Sequence, residues 1–403
     1  MKVKITSLDD FGRGITRIND KICFIKNTLP EEIVDIEILK EKKKYSIGKA
    51  KEYIEKSSKR ITPNCKYYNI CGGCNLQHLT IEDENNFKVK KVESILEKFA
   101  GKKVKIDKIT SSNEYNYRNK ITVRVDNGKL CLVEEESNNY IEIDKCLLAV
   151  DKINYIISKL KDIVKNEKDI NKIMIRVSND SEKVMLKIDG EVKEIKNFEE
   201  ICDSLIINNK VMKNEYLLTN INDKKFYVTA DSFFQINRDI TEKLYNKVIE
   251  VVKEKRPNNA LDLYCGVGTI GISISNYVEK VLGVEVVEKA IESAQKNKEL
   301  NNVKNIDFKC GKVEDIIDSS YNYYDLIIVD PPRSGLDNLA INQLIDLKAS
   351  RVVYVSCDPV TLARDLNILK EFYNILEISL VDMFPNTHHV ESVVVLEFKG
   401  YNI

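Results

Sequence analysis

Up to about residue 56 the chain alternates short β-rich runs with turn signals: KVKITSL, FGRGITRI, KICFIK and EEIVDIEILKE, with Gly12 and Gly14 marking a tight turn. This pattern predicts a small β-barrel over residues 1–56. A cysteine-rich loop follows at 64–78, and apolar positions at helical spacing from about Glu82 to Phe99 then predict an amphipathic helix. A mixed, strand-rich stretch continues to about residue 215, where KITVRVDNGKLCLV predicts a hairpin turning at Asp126-Asn127-Gly128. From about residue 225 the period changes. ALDLY, VLGVE, IDFKC, DLIIVD and VVYVS read as buried strands separated by helical stretches, which predicts an α/β, doubly wound, largely parallel sheet. The chain therefore divides into a barrel (1–56), a mixed α+β central domain (57–220) and a Rossmann-like domain (221–403).

Composition narrows the class. Of 403 residues, 31% are charged and 43% hydrophobic, as in a soluble globular protein. No run approaches a membrane span, and the first residues lack the apolar core of a signal peptide, so a cytoplasmic protein with no membrane partner is expected. Ten cysteines in such a chain point to metal binding or catalysis, not to a disulfide scaffold. Net charge is zero, which argues against a generic polyanion binder. Locally, Lys40 to Arg60 holds nine basic and three acidic residues, and a second basic stretch runs through Lys88, Lys90, Lys91, Lys98, Lys102, Lys103 and Lys105. Both are candidate nucleic-acid footprints, although a solvated lysine-rich surface reads the same way.

Three groups of residues carry candidate chemistry. Cys65, Cys71 and Cys74 in CKYYNICGGC have C-x5-C-x2-C spacing, with glycines that allow a tight wrap. A fourth ligand would be Cys146 or His78, and spacing leaves tetrahedral zinc and a four-cysteine iron–sulfur cluster both open. LDLYCGVGTIG follows a strand and opens a helix, with Gly266, Gly268 and Gly271 in the arrangement of a nucleotide-binding loop. Asp262 just before it disfavours a pyrophosphate and suits a cofactor bearing an amino acid. Glu285 ends the next strand, where it can accept ribose hydroxyls, and Asp330 adds a carboxylate on the same sheet edge. The set favours S-adenosyl-L-methionine over a dinucleotide. Finally, Cys357 in YVSCDPVTLARDL sits between a strand and a helix start, at the ligand-binding edge of such a sheet, where a helix N-terminus favours a thiolate.

With LDLYCGVGTIG, VDPPRSG, VSCDP and HHVESVVVLE in this order, together with YNYRNK and SFFQIN, the chain resembles the RNA 5-methyluridine methyltransferases. The resemblance implies a TRAM-like barrel that binds RNA and an S-adenosylmethionine-dependent transfer of methyl to uracil C5. It assigns Cys357 as nucleophile and Glu391 as base, and gives Gln235, Tyr264, Glu285, Asp330, Gly266 and Gly268 to the cofactor and uracil region. Phe233 and Phe234 become candidates to stack on a flipped base, with core packing as the plain alternative. His388 and His389 read as structural or RNA-facing. The resemblance also implies a [4Fe-4S] cluster on Cys65, Cys71, Cys74 and Cys146, and RNA as partner, with 23S ribosomal RNA favoured and transfer RNA the alternative. Two rivals follow. An RNA cytosine-5 methyltransferase would carry a second cysteine where Arg333 follows DPP, and a non-catalytic iron–sulfur RNA-binding protein would not need Cys357, Glu391, Gln235 and Asp330 together.

Overall fold

Alternation in the first segment becomes six strands: β1 (Lys2–Lys4), β2 (Ser7–Leu8), β3 (Gly14–Ile18), β4 (Lys21–Ile25), β5 (Ile33–Glu41) and β6 (Tyr45–Glu55). Their order is β1-β5-β6-β4-β3-β2, and the N-terminal segment spans both edges. β1 pairs with β5, Ile5 N donates to Glu32 O at 2.9 Å, and Thr6 N donates to Ile15 O at 2.8 Å. One segment thus crosses from β5 to β3 and leaves no free edge. Ile5, Cys23, Ile25, Val34 and Ile36 fill the interior. The computed structural model describes residues 1–101, 103–106, 109–316 and 324–400; Lys102 of the second basic stretch lies outside them.

α1 (Ile81–Ala100) starts at Thr80, whose hydroxyl accepts the Asp83 N–H at 3.2 Å, and ends at Gly101 with φ +59°. After β7 (Ile109–Thr110) comes the central sheet: β8 (Lys120–Asp126), β9 (Lys129–Val133), β10 (Tyr140–Glu142), β11 (Ile170–Val177), β12 (Val184–Gly190), β13 (Ser204–Ile207) and β14 (Lys210–Lys213). α2 (Asp151–Val164) covers one face, where Ile153, Ile157 and Leu160 meet Val123, Ile173 and Leu186; α3 (Ile195–Glu199) adds Phe198. Met174 and Met185 on the sheet join a second core, shared with the C-terminal domain.

A hairpin, β15 (Leu217–Ile221) and β16 (Lys224–Val228), leads through α4 (Arg238–Lys255) into the alternating region. There follow β17 (Asn259–Leu263), α5 (Thr269–Ile274), β18 (Lys280–Glu285), α6 (Glu288–Leu300), β19 (Ile306–Cys310), α7 (Val313–Ile316) and β20 (Leu326–Val329). α8 (Asn338–Leu347), β21 (Arg351–Ser356), α9 (Pro359–Leu369), β22 (Tyr373–Val381) and β23 (Glu391–Phe398) follow among the described residues. The sheet order is β19-β18-β17-β20-β21-β23-β22-β7, and every strand runs in one sense except β23. Successive residues of a strand enter different cores: Val352 and Tyr354 face one, Val353 and Val355 the other. Both faces are therefore covered, as a parallel sheet requires.

Two features depart from the pattern read in the sequence. α1 and β7 come from the segment assigned to the central domain, yet β7 extends the C-terminal sheet beside β22. The apolar stripe of α1 (Val92, Ile95, Leu96) packs in one core with Leu362 and Leu366 of α9. The boundary at 57–220 thus cuts through packed structure. The second basic stretch is likewise not all surface. Lys88 is 0% exposed and bonds Glu84 at 2.5 Å and Asp382 at 2.6 Å, joining α1 to the turn after β22. Removing one member of a buried charge cluster leaves the others unpaired. Lys88→Met is expected to destabilise the protein by about 3–5 kcal/mol, read as a lower midpoint in chemical unfolding; an unchanged midpoint would contradict the assignment.

Candidate active site

Sheet order reverses between β17 and β20, and the C-terminal ends of β17, β18, β20 and β21 share the edge at that point. Open α/β sheets bind ligands there. After β17 the backbone turns sharply: Tyr264 has φ +62°, Gly266 +54° and Gly268 +81°. A side chain at Gly266 would meet nothing within 4 Å, whereas at Gly268 it would lie 2.6 Å from Phe308 Cζ. Gly266 thus leaves room for a ligand against the backbone, and Gly268 lets the loop pack on β19. Asp262 fastens the turn by accepting the Gly271 N–H at 2.8 Å through Oδ2. Its Oδ1 is buried without a hydrogen-bond partner. Burial, aided by the charges of Asp330 and Glu285, pushes Asp262 up to about 7. A buried carboxylate oxygen with no partner beside an open glycine fits the amino-acid end of S-adenosylmethionine. Glu285 accepts Gly266 N at 3.2 Å and Val287 N at 2.9 Å, one on each oxygen. Each oxygen keeps a lone pair for a ribose hydroxyl.

Cys357 and Glu391 meet through strand register. Ser356 of β21 pairs with Ser392 of antiparallel β23, so the next residue in each direction is Cys357 and Glu391. Glu391 is buried, and burial with the charge of Asp330 raises it to about 8, while Arg333 acts in the opposite direction. Burial and then the charge of Glu391 push the Cys357 thiol up to about 11, again opposed by Arg333. The expectation of a thiol lowered by the α9 N-terminus is not met, because burial and the Glu391 charge outweigh it and the helix end is already occupied. Asp358 caps that helix, accepting Val360 N at 2.9 Å and Thr361 N at 3.0 Å, so a carboxylate already occupies the positive end. Burial lifts Asp330 to about 7. Cys357, Glu391, Asp330 and Arg333 therefore form one electrostatic group.

Gln235 is on the wall of a cavity of about 510 Å³ that Phe233, Phe384, Arg118 and Lys120 also line. Phe233 is 74% exposed, whereas Phe234 is buried with its ring 6.3 Å from that of Phe226. The two phenylalanines thus divide between the alternatives: Phe234 is core, and Phe233 is free to stack. Cys65, Cys71, Cys74 and Cys146 line the same cavity. His78 is buried elsewhere, with Nδ1 at 2.6 Å from the Tyr68 hydroxyl. Among the described residues, no three His, Cys, Asp or Glu side chains are arranged to hold a metal ion. The rings of His388 and His389 lie 4.2 Å apart, tilted by 37°, and burial holds them down at about 3 and about 4, so both are neutral.

The sequence reading did not pick out two participants. Arg333 is the cation that opposes the carboxylates around Cys357, and its place directly after the Asp330-Pro331-Pro332 motif was the available signal. The buried Glu84–Lys88–Asp382 cluster gave no signal beyond i,i+4 spacing of the first pair. No helix among the described residues is long and apolar enough to cross a membrane.

Comparison with known proteins gives the family. Residues 203–399 match the model of the tRNA (uracil-5-)-methyltransferase family, and residues 1–51 match the TRAM domain. An uncharacterized RNA methyltransferase of Clostridium tetani is 34% identical, over 98% of this chain and 96% of that protein. One of Bacillus cereus is 33% identical over 96% and 94%. The crystal structure of Pyrococcus abyssi tRNA (uracil-54, C5)-methyltransferase with S-adenosyl-L-homocysteine superposes with a TM-score of 0.82 at 27% identity. It covers 98% of this chain and 100% of that one. The chain belongs to the RNA uracil-C5 methyltransferase family and is an S-adenosylmethionine-dependent RNA methyltransferase.

Proposed function

We propose that the protein methylates C5 of a uridine in RNA through a covalent adduct between Cys357 and C6 of the ring. The adjacency of Cys357 and Glu391 across β21 and β23 carries this reading. Uracil C5 is too weak a nucleophile to take a methyl from a sulfonium unaided. Thiolate addition at C6 turns the ring into an enolate, whose C5 attacks the methyl group and releases S-adenosylhomocysteine. Glu391 then removes the C5 proton, and the electron pair left behind expels the Cys357 thiolate. Tyr264, Gly266, Gly268 and Glu285 hold the methyl donor, Asp330 and Gln235 orient the uracil, and Phe233 stacks on a base extruded from the RNA.

The acid–base environment fixes the pH dependence. Cys357 and Glu391 both act in their deprotonated forms, and both are held protonated beyond their usual range, at about 11 and about 8. The single-turnover rate is therefore expected to rise from pH 6.5 to 9; a rate that falls over that interval would oppose the assignment.

The four cysteines suit a [4Fe-4S] cluster in kind. They surround one cavity, and burial together with the charges of the other cysteines raises Cys71, Cys74 and Cys146. Such thiols stay protonated until a shared cation displaces their protons. When bound, a cluster would tie the 65–74 loop to Cys146 and supplies electron-transfer capacity that methyl transfer does not call on. Protein purified without oxygen is expected to carry iron and sulfide in equal amounts and to lose both in Cys74→Ser; iron-free wild type would remove the cluster.

Two RNAs compete as substrate. The cysteine loop and barrel favour 23S ribosomal RNA, while the full-length likeness to a tRNA enzyme of P. abyssi favours transfer RNA. Incubation with unmodified transcripts of each, followed by nucleoside mass spectrometry, decides between them. 5-Methyluridine in one pool names the substrate, and 5-methylcytidine would overturn the reading.

A further inference from the structure

The thiol-bearing loop and the segment that carries Glu391 are sewn together, and a single side chain makes the closest stitch. Asn75 directly follows Cys74. Its Oδ1 accepts the His388 N–H at 3.0 Å, and its Nδ2 meets His388 Nδ1 at 2.7 Å. The backbone N–H groups of Asn75 and Leu76 both donate to Asn386 O at 3.1 Å. From the other side, Lys91 Nζ donates to His388 O at 2.9 Å, and Asn386 N donates to Glu84 at 2.9 Å. Asn386 adopts φ +68°, so the segment turns sharply between these anchors before entering β23 at Glu391. The barrel also reaches this point: the Phe11 ring stands 5.2 Å from that of His388.

We infer that Asn75 is a positioning residue for Glu391, clasping both His388 N and Nδ1 so that the base faces the C5 proton, and linking the shape of the thiol loop to release of the product. This inference rests on Glu391 being the base of the proposed reaction. The clasp acts on one step. Thiolate addition and methyl transfer need Cys357 and the methyl donor in place, whereas proton removal and release need the Glu391 carboxylate within reach of C5. A base displaced by about an ångström loses on the order of a hundredfold in its own step, and the steps before it keep their rate. A residue that merely stabilised the fold would slow all of them alike.

The test uses the full chain, methyl-labelled S-adenosylmethionine and whichever unmodified transcript, ribosomal or transfer RNA, the wild type methylates. First-turnover methyl incorporation and the fraction of RNA in a detergent-resistant protein adduct are followed together. Asn75→Leu removes both contacts and leaves the backbone bonds of residues 75 and 76. It is expected to transfer its first methyl group at the wild-type rate, with release of the methylated adduct slowed about a hundredfold. Asn75→Asp keeps the acceptor for His388 N and can accept from His388 Nδ1–H, so it is expected to restore most of the release rate. Equal slowing of addition, transfer and release in Asn75→Leu, or release at the wild-type rate, would overturn the inference. Glu391→Gln is the reference: if it accumulates adduct while Asn75→Leu does not, only the role of Asn75 fails. If Glu391→Gln accumulates none, the role of Glu391 as base fails and this inference with it.

Discussion

Cys357→Ala is expected to lower methyl transfer by roughly 10⁴-fold or more, with no RNA adduct formed at any time. The size of the loss follows from the chemistry: without addition at C6 the ring offers no carbon nucleophile, and no other group in the cluster replaces the thiol. Asp330, Glu391 and Arg333 around it hold charge and protons but cannot add to the ring and leave again. The proposed cofactor cradle at Asp262, Gly266 and Glu285 is built at the ends of β17 and β18 and does not involve β21. Binding of S-adenosylmethionine, followed by calorimetry, is therefore expected to survive the substitution. A variant that keeps a tenth of its activity would mean that another residue performs the addition.

Glu391→Gln is expected to show a different defect: one methyl group transferred per enzyme, then a halt with the RNA still attached. Turnover should fall by roughly 10² to 10⁴-fold, while the first turnover proceeds. Glu391 is buried against β22, where Val381 is its neighbour in register, so water has poor access to act as base in its place. An amide fills the same space and cannot take the proton. If the variant failed already at adduct formation, Glu391 would be acting earlier, for instance in activating the Cys357 thiol, whose proton its charge helps to retain.

Much of this arrangement is legible in the sequence. Val352–Val355 announce a buried strand by composition, Pro359 marks the first turn of a helix, and the glycines after Leu263 mark a sharp turn. Cys357 at a strand end follows from the first two of these facts. The direction of β23 does not, because a run such as SVVVLEF encodes burial and not sense. Its antiparallel course is nevertheless what brings Glu391 beside Cys357. The place of α1 was hidden for a similar reason: an apolar stripe says that a helix is covered, not by what. Lys88 shows the limit of charge patterns, since one of seven basic residues in a stretch proves to be buried between two carboxylates. The raised thiol of Cys357 is not legible in the sequence, because burial and then the Glu391 carboxylate across the sheet outweigh a helix N-terminus already capped by Asp358.

The most direct measurement of the central claim is a trapping experiment with RNA carrying 5-fluorouridine at the methylated position. Addition and methyl transfer proceed as before, but C5 then bears fluorine instead of a proton, so no base can open the route to release and the adduct persists. Digestion of the complex and mass spectrometry of the peptides are predicted to find the methylated fluoronucleotide on Cys357. A nucleotide on any other cysteine, or methyl transfer with no trapped complex, would contradict the mechanism.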